Sequence, residues 1–314
     1  MSQKVSMTST SAAPIVCPGH SRPIVDIRFC RTSEDNLDLL LSACHDKTAQ
    51  LRWADNGAWI GNYKGHTGAV WSAALDEAGL RTITASADFS VKLWDTTTGE
   101  EISSFPHQHV VKAVDFSFDS KSFISAGLEK KSFVFDLQHM TPVTVYDHPC
   151  QVSKAIWISH DVFLTGAYDG LLRTFDRRVS THTCASSVPL PADAMRKTDK
   201  GVTDIQFVKQ SNEIITCRGQ KILLFSTKKI DQPFFSFNVQ YDVEAASLSC
   251  NGERIAAGGS DLWLRIYDAL SGDELGVHKG HHGPIFCARW SSLGDSVASG
   301  SEDGTIRIWP ISAT

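Results

Sequence analysis

The amino-acid sequence predicts an all-β fold, a seven-bladed β-propeller whose N-terminal strand closes the last blade. Two observations lead to this prediction: a unit of about 40 residues recurs along the chain, and each copy contains short β-rich segments separated by turns. The best-formed copy runs from Gly65 to Asp95, and a second runs from Gly280 to Trp309. Helical periodicity is not sustained in any copy, and a four-stranded propeller blade has this length.

The spacing between the residues that close successive copies gives the length of the repeat. In chain order these residues are Arg52, Trp94, Phe135, Phe175, Phe225, Tyr267 and Trp309. The successive steps are 42, 41, 40, 50, 42 and 42 residues, so the spacing is nearly constant apart from one longer step. Seven copies predict seven blades in a single domain over residues 12–314, and residues 1–11 are expected to be a flexible N-terminus.

The copy that begins at Gly65 shows how one blade is built. Its segments AVWSAAL, LRTITAS, SVKLWD and EEISSF are rich in β-formers and are separated by Gly, Asp or Thr-Gly turns, so they predict four strands. The last copy has only five residues after Trp309, which are too few for a fourth strand. The segment AAPIVC, residues 12–17, precedes the first copy, and we expect it to supply that strand.

The step of 50 residues contains an insertion, VPLPADAMRKTDKG, at residues 188–201. Its Pro, Asp, Lys and Gly content predicts a loop. Long loops on compact domains are either functional or disordered, and both alternatives remain open for this one.

Composition and charge argue against several classes of protein. Apolar residues make up 42% of the 314 residues, and no segment is long and apolar enough to span a bilayer or to form a signal peptide. The net charge of −5 gives no overall attraction to nucleic acid or anionic membranes. The eight cysteines are scattered without a C-x-x-C pair, which favours reduced thiols in an intracellular protein. We therefore expect no metal site and no cofactor.

Ser or Thr, His, Asp and Trp recur at corresponding positions of the copies. The two complete sets are His66, Thr84, Asp88 and Trp94, and His281, Ser299, Asp303 and Trp309. The partial sets are His20, Ser42 and Asp46; His109, Ser125 and Glu129; and His148, Thr165 and Asp169. These residue types could form a Ser-His-Asp nucleophile, but an enzyme needs one such site and not one in each repeat. Because buried polar groups must be paired, a structural hydrogen-bond network is the favoured interpretation.

The recurring Gly-His and Trp-Asp pairs, at 65–66 and 94–95 in the best copy, resemble those of the WD40 repeat family. The resemblance covers nearly the whole chain. It implies a propeller in which Trp, Ser or Thr, His and Asp form a chain of hydrogen bonds inside each blade. The sequence has no P-loop, no H-E-x-x-H and no G-x-S-x-G, so we expect an interaction scaffold and not an enzyme.

Six basic residues are candidates for contacts with a partner, because they fall in loops or turns that share one face of a propeller. They are Arg22, Lys47, Lys112, Lys130, Lys131 and Lys154. A basic arc would bind an acidic protein segment or RNA phosphate, and ordinary solvated side chains are the alternative. The aromatic candidates in or beside turns are Trp53, Trp59, Trp263, Phe89 and Tyr168, although we expect Trp59 to be buried.

Longer stretches resemble one family of WD40 proteins. SRPIVDIRF at 21–29, LRWADNGAWIGNYKGHTGAVW at 51–71 and HQHVVKAVDFSFDS at 107–120 are similar to the serine/threonine kinase receptor-associated (unr-interacting) proteins. The resemblance implies a cytoplasmic and nuclear adaptor of the survival-of-motor-neuron complex, which assembles spliceosomal small nuclear ribonucleoproteins. The implied partners are Gemin and other subunits of that complex, receptor kinases or an unr-like RNA-binding protein. From the charge and the residue pattern we expect no direct binding to nucleic acid. The alternative is the i subunit of eukaryotic translation initiation factor three, for which KGHTGAVW and KGHHGPI are equally suitable.

Overall fold

The computed structural model describes residues 13–32, 38–179, 184–191 and 200–311, which form 28 strands and no helix. The strands build seven antiparallel four-stranded sheets, so the predicted seven-bladed propeller is confirmed. The N-terminus expected to be flexible, residues 1–11, lies outside the described residues.

The first four blades each consist of four consecutive strands. Blade 1 contains β2 (Ile24–Arg31), β3 (Asp38–Cys44), β4 (Thr48–Trp53) and β5 (Trp59–Lys64). Blade 2 contains β6 (Val70–Leu75), β7 (Arg81–Ser86), β8 (Ser90–Asp95) and β9 (Glu101–Pro106). Blade 3 contains β10 (Val111–Phe116), β11 (Ser122–Gly127), β12 (Lys131–Asp136) and β13 (Thr141–Asp147). Blade 4 contains β14 (Val152–Trp157), β15 (Val162–Ala167), β16 (Leu171–Asp176) and β17 (Ser186–Pro189).

The remaining three blades complete the ring. Blade 5 contains β18 (Asp204–Val208), β19 (Glu213–Arg218), β20 (Lys221–Ser226) and β21 (Phe235–Asn238). Blade 6 contains β22 (Val243–Leu248), β23 (Arg254–Gly259), β24 (Leu264–Asp268) and β25 (Glu274–His278). Blade 7 contains β26 (Ile285–Trp290), β27 (Ser296–Ser301) and β28 (Ile306–Pro310), and its fourth strand is β1 (Ile15–Cys17).

The first strand of each blade lies next to the central channel. These seven strands contact one another in chain order, and β26 contacts β2, which closes the circle. Apolar side chains fill the space between neighbouring blades; Leu41 of blade 1, for example, shares a core cluster with Val70 and Trp94 of blade 2. Burial of each such side chain contributes about 1.5–3 kcal/mol, so the blades depend on their neighbours for stability.

Six of the seven first strands carry a β-bulge near their beginning. In each of these the register shifts by one residue between the first and third positions of the strand. The residues left without a partner in the second strand are Val25, Trp71, Lys112, Ser153, Glu244 and Phe286. A bulge of this kind redirects a side chain, and here it does so six times around the same end of the channel.

The N-terminal strand closes the ring, as predicted. Ile15, Val16 and Cys17 pair with Ile308, Arg307 and Ile306, respectively. Cys17 is buried in a core cluster that also contains residues of blade 1. The last blade therefore has its outer strand from one end of the described chain and its three inner strands from the other.

The insertion begins later than the sequence indicates. Val188 and Pro189, expected in a loop, belong to β17 and pair with Leu172 and Leu171. The reason is packing, because the Val188 side chain is buried in the core cluster between blades 4 and 5. Residues 192–199 lie outside the described residues.

Removal of the closing strand tests this architecture. We expect a chain that lacks residues 1–17 to lose roughly 3 kcal/mol of unfolding free energy, because blade 7 would lose its outer strand and the burial of Cys17. The matched control lacks only residues 1–12 and retains β1. Guanidinium unfolding followed by circular dichroism measures both, and equal stability of the two truncated chains would contradict the assigned closure.

Candidate functional site

The best-formed copy places its four polar residues in one continuous chain of hydrogen bonds. The Trp94 indole Nε1–H donates to Thr84 Oγ1 at 2.8 Å. Thr84 Oγ1 lies 2.7 Å from His66 Nε2, and His66 Nδ1 lies 2.7 Å from the Asp88 carboxylate. The arrangement fits an imidazole whose Nδ1–H donates to Asp88 and whose Nε2 accepts from the Thr84 hydroxyl. Each polar group along this path has a partner.

The last blade repeats the same geometry. Trp309 Nε1 donates to Ser299 Oγ at 2.8 Å, and Ser299 Oγ lies 2.8 Å from His281 Nε2. His281 Nδ1 lies 3.0 Å from Asp303. Although burial opposes it, hydrogen bonds from the His282 N–H and from Thr305 lower the pKa of Asp303 to about 2. The carboxylate is therefore ionised at neutral pH and is held in place by several donors.

The hydroxyl groups of these sets are not placed to attack a substrate. Thr84 and Ser299 are both fully buried, at 0% exposure, and each hydroxyl is enclosed between a tryptophan and a histidine. A nucleophile must reach its substrate, whereas these hydroxyls are buried and hydrogen-bonded to the tryptophan and histidine of their own sets. The geometry favours a role in fixing the register of each blade.

Blade 1 forms a shorter version of the network from its partial set. His20 Nδ1 lies 2.7 Å from Asp46, and His20 Nε2 lies 2.9 Å from Ser42. Cys44 Sγ is close enough to form a possible metal-ligand group with His20 and Asp46. Burial raises the pKa of Cys44 to about 12, and both ring nitrogens of His20 are already hydrogen-bonded, so the group fits a structural role better than metal binding.

Two partial sets differ from the sequence-based assignment. In blade 3 the histidine is His107, whose Nε2 lies 3.0 Å from Ser125 and whose Nδ1 lies 3.4 Å from Glu129. The proposed His109 is wrong, because its ring instead packs against Phe89 beside the turn. The two histidines are two residues apart, so spacing alone does not separate them.

In blade 4, the hydrogen bonds of the described residues do not include the expected contact between His148 and Thr165. His148 Nε2 instead lies 2.8 Å from Ser132 of blade 3. Arg173 forms an ion pair with Asp169 and thus occupies the carboxylate that the histidine would need. The histidine consequently joins blade 4 to its neighbour and not to its own second strand.

The six basic candidates fall into two groups. Arg22, Lys47 and Lys130 are exposed, and Lys131 Nζ lies 4.0 Å from the Asp147 carboxylate. Lys112 and Lys154 are instead on the first strands of blades 3 and 4, are partly buried and face the channel mouth. The structure thus sets two of the six apart from the surface turns.

Lys112 and Lys154 line a cavity of about 340 Å³ at the channel end where the first strands begin. All six bulged residues are part of its wall. The full lining is Val25, His45, Trp71, Lys112, Ser153, Lys154, Tyr168, Lys200, Val202, Thr203, Glu244 and Phe286. The cavity is called the mouth pocket below, and it combines lysine ammonium groups with aromatic and aliphatic walls.

Charge in the mouth pocket is distributed unevenly. Lys154 Nζ lies 3.6 Å from Asp204, and the Lys200 ammonium forms an ion pair with Glu244. The Lys112 ammonium lies over the Trp71 ring, 2.8 Å from its centroid. Burial, and then repulsion by Lys154, lowers the pKa of Lys112 to about 7.

A second set of charges lies deeper in the channel. The Arg289 guanidinium bonds to both oxygens of Asp204, at 2.6 and 2.8 Å, and Arg28 forms an ion pair with Asp115. These pairs join first strands that are far apart in sequence. The opposite end of the channel has a cavity of about 330 Å³, lined in part by Arg28, Asp115 and Arg289. The charges that face it are already paired, so the mouth pocket is the better candidate for a binding site.

Sequence reasoning missed two features of this site. Trp71 was not among the aromatic candidates, although it occupies the same place in its copy as Lys112 does in the next. Trp59, expected to be buried, is 57% exposed, and its indole N–H donates to Asn62. Alignment of the first strands at the bulge would have found Trp71.

Comparison with known proteins agrees with this architecture. The family profile described as "WD domain, G-beta repeat" matches residues 57–95 and 272–310. The serine-threonine kinase receptor-associated protein of Dictyostelium discoideum is 38% identical over 302 residues, which cover 94% of this chain and 98% of the relative. The human protein of the same name is 36% identical over 94% of this chain and 82% of the relative. The chain belongs to the serine-threonine kinase receptor-associated protein family.

The alternative family is more distant from this chain. Eukaryotic translation initiation factor 3 subunit I of Schizosaccharomyces pombe is 25% identical over 94% of this chain and 95% of the relative. The resemblance to the serine-threonine kinase receptor-associated protein family noted in the sequence is thereby confirmed. No part of the described chain forms a helix that is long and apolar enough to cross a membrane.

The polar chain in blade 2 gives a prediction about stability. Thr84→Val keeps the volume of the side chain but leaves the Trp94 N–H and His66 Nε2 without a partner, so it should lower the unfolding free energy by about 2–3 kcal/mol. Thr84→Ser keeps the hydroxyl and should therefore retain most of the wild-type unfolding free energy. Thr97→Val, in an exposed turn, is the control. Chemical denaturation measures all four proteins; a Thr84→Val protein as stable as wild type would contradict the structural role.

The electrostatics of the mouth pocket give a second prediction. The ammonium of Lys112 should titrate with a midpoint near pH 7, whereas an ordinary lysine titrates above pH 10. Reductive ¹³C-methylation followed by a pH titration of the methyl NMR signals measures it, and Lys112→Arg identifies the signal by its loss. A midpoint above pH 10 for this signal would show that the ammonium is solvated and not confined in the pocket.

Proposed function

We propose that the chain is a non-catalytic scaffold that acts as an adaptor subunit of the survival-of-motor-neuron complex in the assembly of spliceosomal small nuclear ribonucleoproteins. The observation that supports this most strongly is identity of 36–38%, over 94% of the chain, to serine-threonine kinase receptor-associated proteins. The buried hydroxyls of Thr84 and Ser299 agree with a role other than catalysis. On this proposal the chain works in the cytoplasm and the nucleus.

The proposed partners are proteins. They are the Gemin and other subunits of the survival-of-motor-neuron complex, with receptor kinases and an unr-like RNA-binding protein as further candidates. The relatives are named for association with a serine-threonine kinase receptor, which supports an additional role as a signalling adaptor. Direct contact with nucleic acid is not part of the proposal, because the chain carries a net charge of −5.

The second candidate is a subunit of translation initiation factor three. It is favoured by similarity that extends over 94% of this chain and 95% of the fission yeast protein. Its identity of 25% is well below the 36–38% of the first group. Both candidates are scaffolds, and they differ in the complex with which the chain associates.

Affinity purification of the tagged full chain from cells of its source organism separates the two candidates. We expect quantitative mass spectrometry to find Gemin and Sm proteins enriched over a control with the tag alone. Enrichment of initiation-factor subunits without Gemin or Sm proteins would contradict the first proposal and support the second.

A further inference from the structure

The unpaired charge in the mouth pocket belongs to Lys112. Among the described residues no carboxylate lies within ion-pair distance of its ammonium, which is in contact with the Trp71 ring. Lys154 Nζ lies 3.6 Å from Asp204, a carboxylate that it shares with Arg289, and Lys200 pairs with Glu244. His45 packs edge-on against Trp71, and burial lowers its pKa, so it adds no charge at neutral pH. Lys112 is therefore the lysine of the pocket that has no carboxylate partner among the described residues.

The walls around this charge are mainly apolar. Trp71 and Lys112 come from neighbouring blades, and the other aromatic and aliphatic residues of the wall are Val25, Tyr168, Val202 and Phe286. The volume of about 340 Å³ is at the lower end of the range of pockets that bind small ligands. Such a pocket suits a group that carries one negative charge beside an apolar neighbour.

The pocket is also built by a repeated feature of the backbone. Six first strands bulge at the same position, and each bulge directs one side chain to the pocket wall. The six side chains differ in type from blade to blade, in contrast to the aliphatic side chains that precede them. The common backbone thus supplies the pocket, and the individual residues supply its chemistry.

We propose that the mouth pocket binds an Asp or Glu side chain of an acidic segment in a partner protein, with the carboxylate on Lys112 and an adjacent apolar residue against Trp71 and Phe286. The inference rests on the proposed scaffold role, and it adds the chemistry by which the scaffold recognises its partner. It requires no particular complex.

Charge matching favours a carboxylate over a phosphate group. One unpaired ammonium matches the single charge of a carboxylate, whereas a phosphomonoester carries nearly two charges at neutral pH. Phosphate sites typically use the bidentate fork of arginine, and the mouth pocket contains no arginine among its described lining residues. RNA is bound along a track of several phosphate contacts, whereas this charge is confined to one recess.

The energetic cost of burying the Lys112 ammonium also supports the proposal. Burial lowers the pKa of Lys112 to about 7, which reflects the cost of holding an ammonium there without a counter-charge. A carboxylate in contact with the ammonium would remove part of this cost and favour the charged form. The Lys112 site of the free protein therefore favours the binding of a negatively charged group.

A peptide array tests the proposal with the purified full chain. The array carries twelve-residue peptides of random sequence with blocked termini, in matched pairs that differ only in Asp or Glu against Asn or Gln. On the array, the fluorescently labelled wild-type chain should bind more strongly to the acidic member of a pair. In solution, fluorescence anisotropy of the labelled peptides should give dissociation constants that differ about tenfold for the best pair. Lys112→Gln should abolish this difference, and Lys112→Arg should retain it.

The controls separate the pocket from general attraction between charges. Lys121→Gln, which removes an exposed lysine in the turn after β10 and outside the pocket, should keep the preference for the acidic peptide, and thermal unfolding checks that each variant is folded. The proposal is overturned if the acidic and amide peptides bind equally, or if Lys112→Gln leaves the difference unchanged. It is also overturned if only a phosphopeptide or a labelled oligouridylate binds in a Lys112-dependent manner.

The same experiment is independent of the cellular complex. If the chain shows no preference for acidic peptides but Gemin proteins copurify with it, the proposed role of the pocket is rejected and the proposed adaptor role is kept. A clear preference without Gemin proteins would support the pocket and reject the assigned complex.

Discussion

Closure of the ring is the condition on which the remaining structure depends. A four-stranded sheet cannot bury both of its faces alone, so each blade is stable only between two neighbours. The pairing of β1 with β28 gives blade 7 its outer strand. The contact of β26 with β2 places blade 7 against blade 1. Cys17 and Ile306 share a core cluster with Ile24, so the two ends of the chain are packed into one interior. The channel and its mouth pocket exist because this circle is complete.

Polar groups inside the ring have two different uses. Within blades, chains such as Trp94–Thr84–His66–Asp88 satisfy one another and fix the pairing of strands. In the channel, Arg289 and Asp204 compensate each other between blades 7 and 5. Buried charges of this kind are costly when one partner is missing, and they are therefore found in pairs. Lys112 departs from this rule, and this departure is the reason we propose a binding site there.

The sequence was sufficient for the parts of the fold that depend on spacing. The steps between closing residues predicted the blades, and the short segment after Trp309 predicted a closing strand within residues 12–17, which the structure forms at Ile15–Cys17. Spacing failed where two choices were nearly equivalent, as for His107 and His109, and where another side chain intervened, as Arg173 does at Asp169. The mouth pocket was not predictable in this way, because a bulge changes which face of the strand a residue occupies without changing the pattern of residue types.

Hydrogen exchange of the chain alone and within its purified partner complex would show most directly whether function resides at the channel mouth. The segments that contain the bulges are residues 23–26, 69–72, 110–113, 151–154, 242–245 and 284–287. We expect exchange to slow in these segments when the partner is bound, with the largest change around Trp71 and Lys112. Slower exchange confined to the outer strands β9, β13 and β21, with no change at the mouth, would contradict the assignment of the binding site.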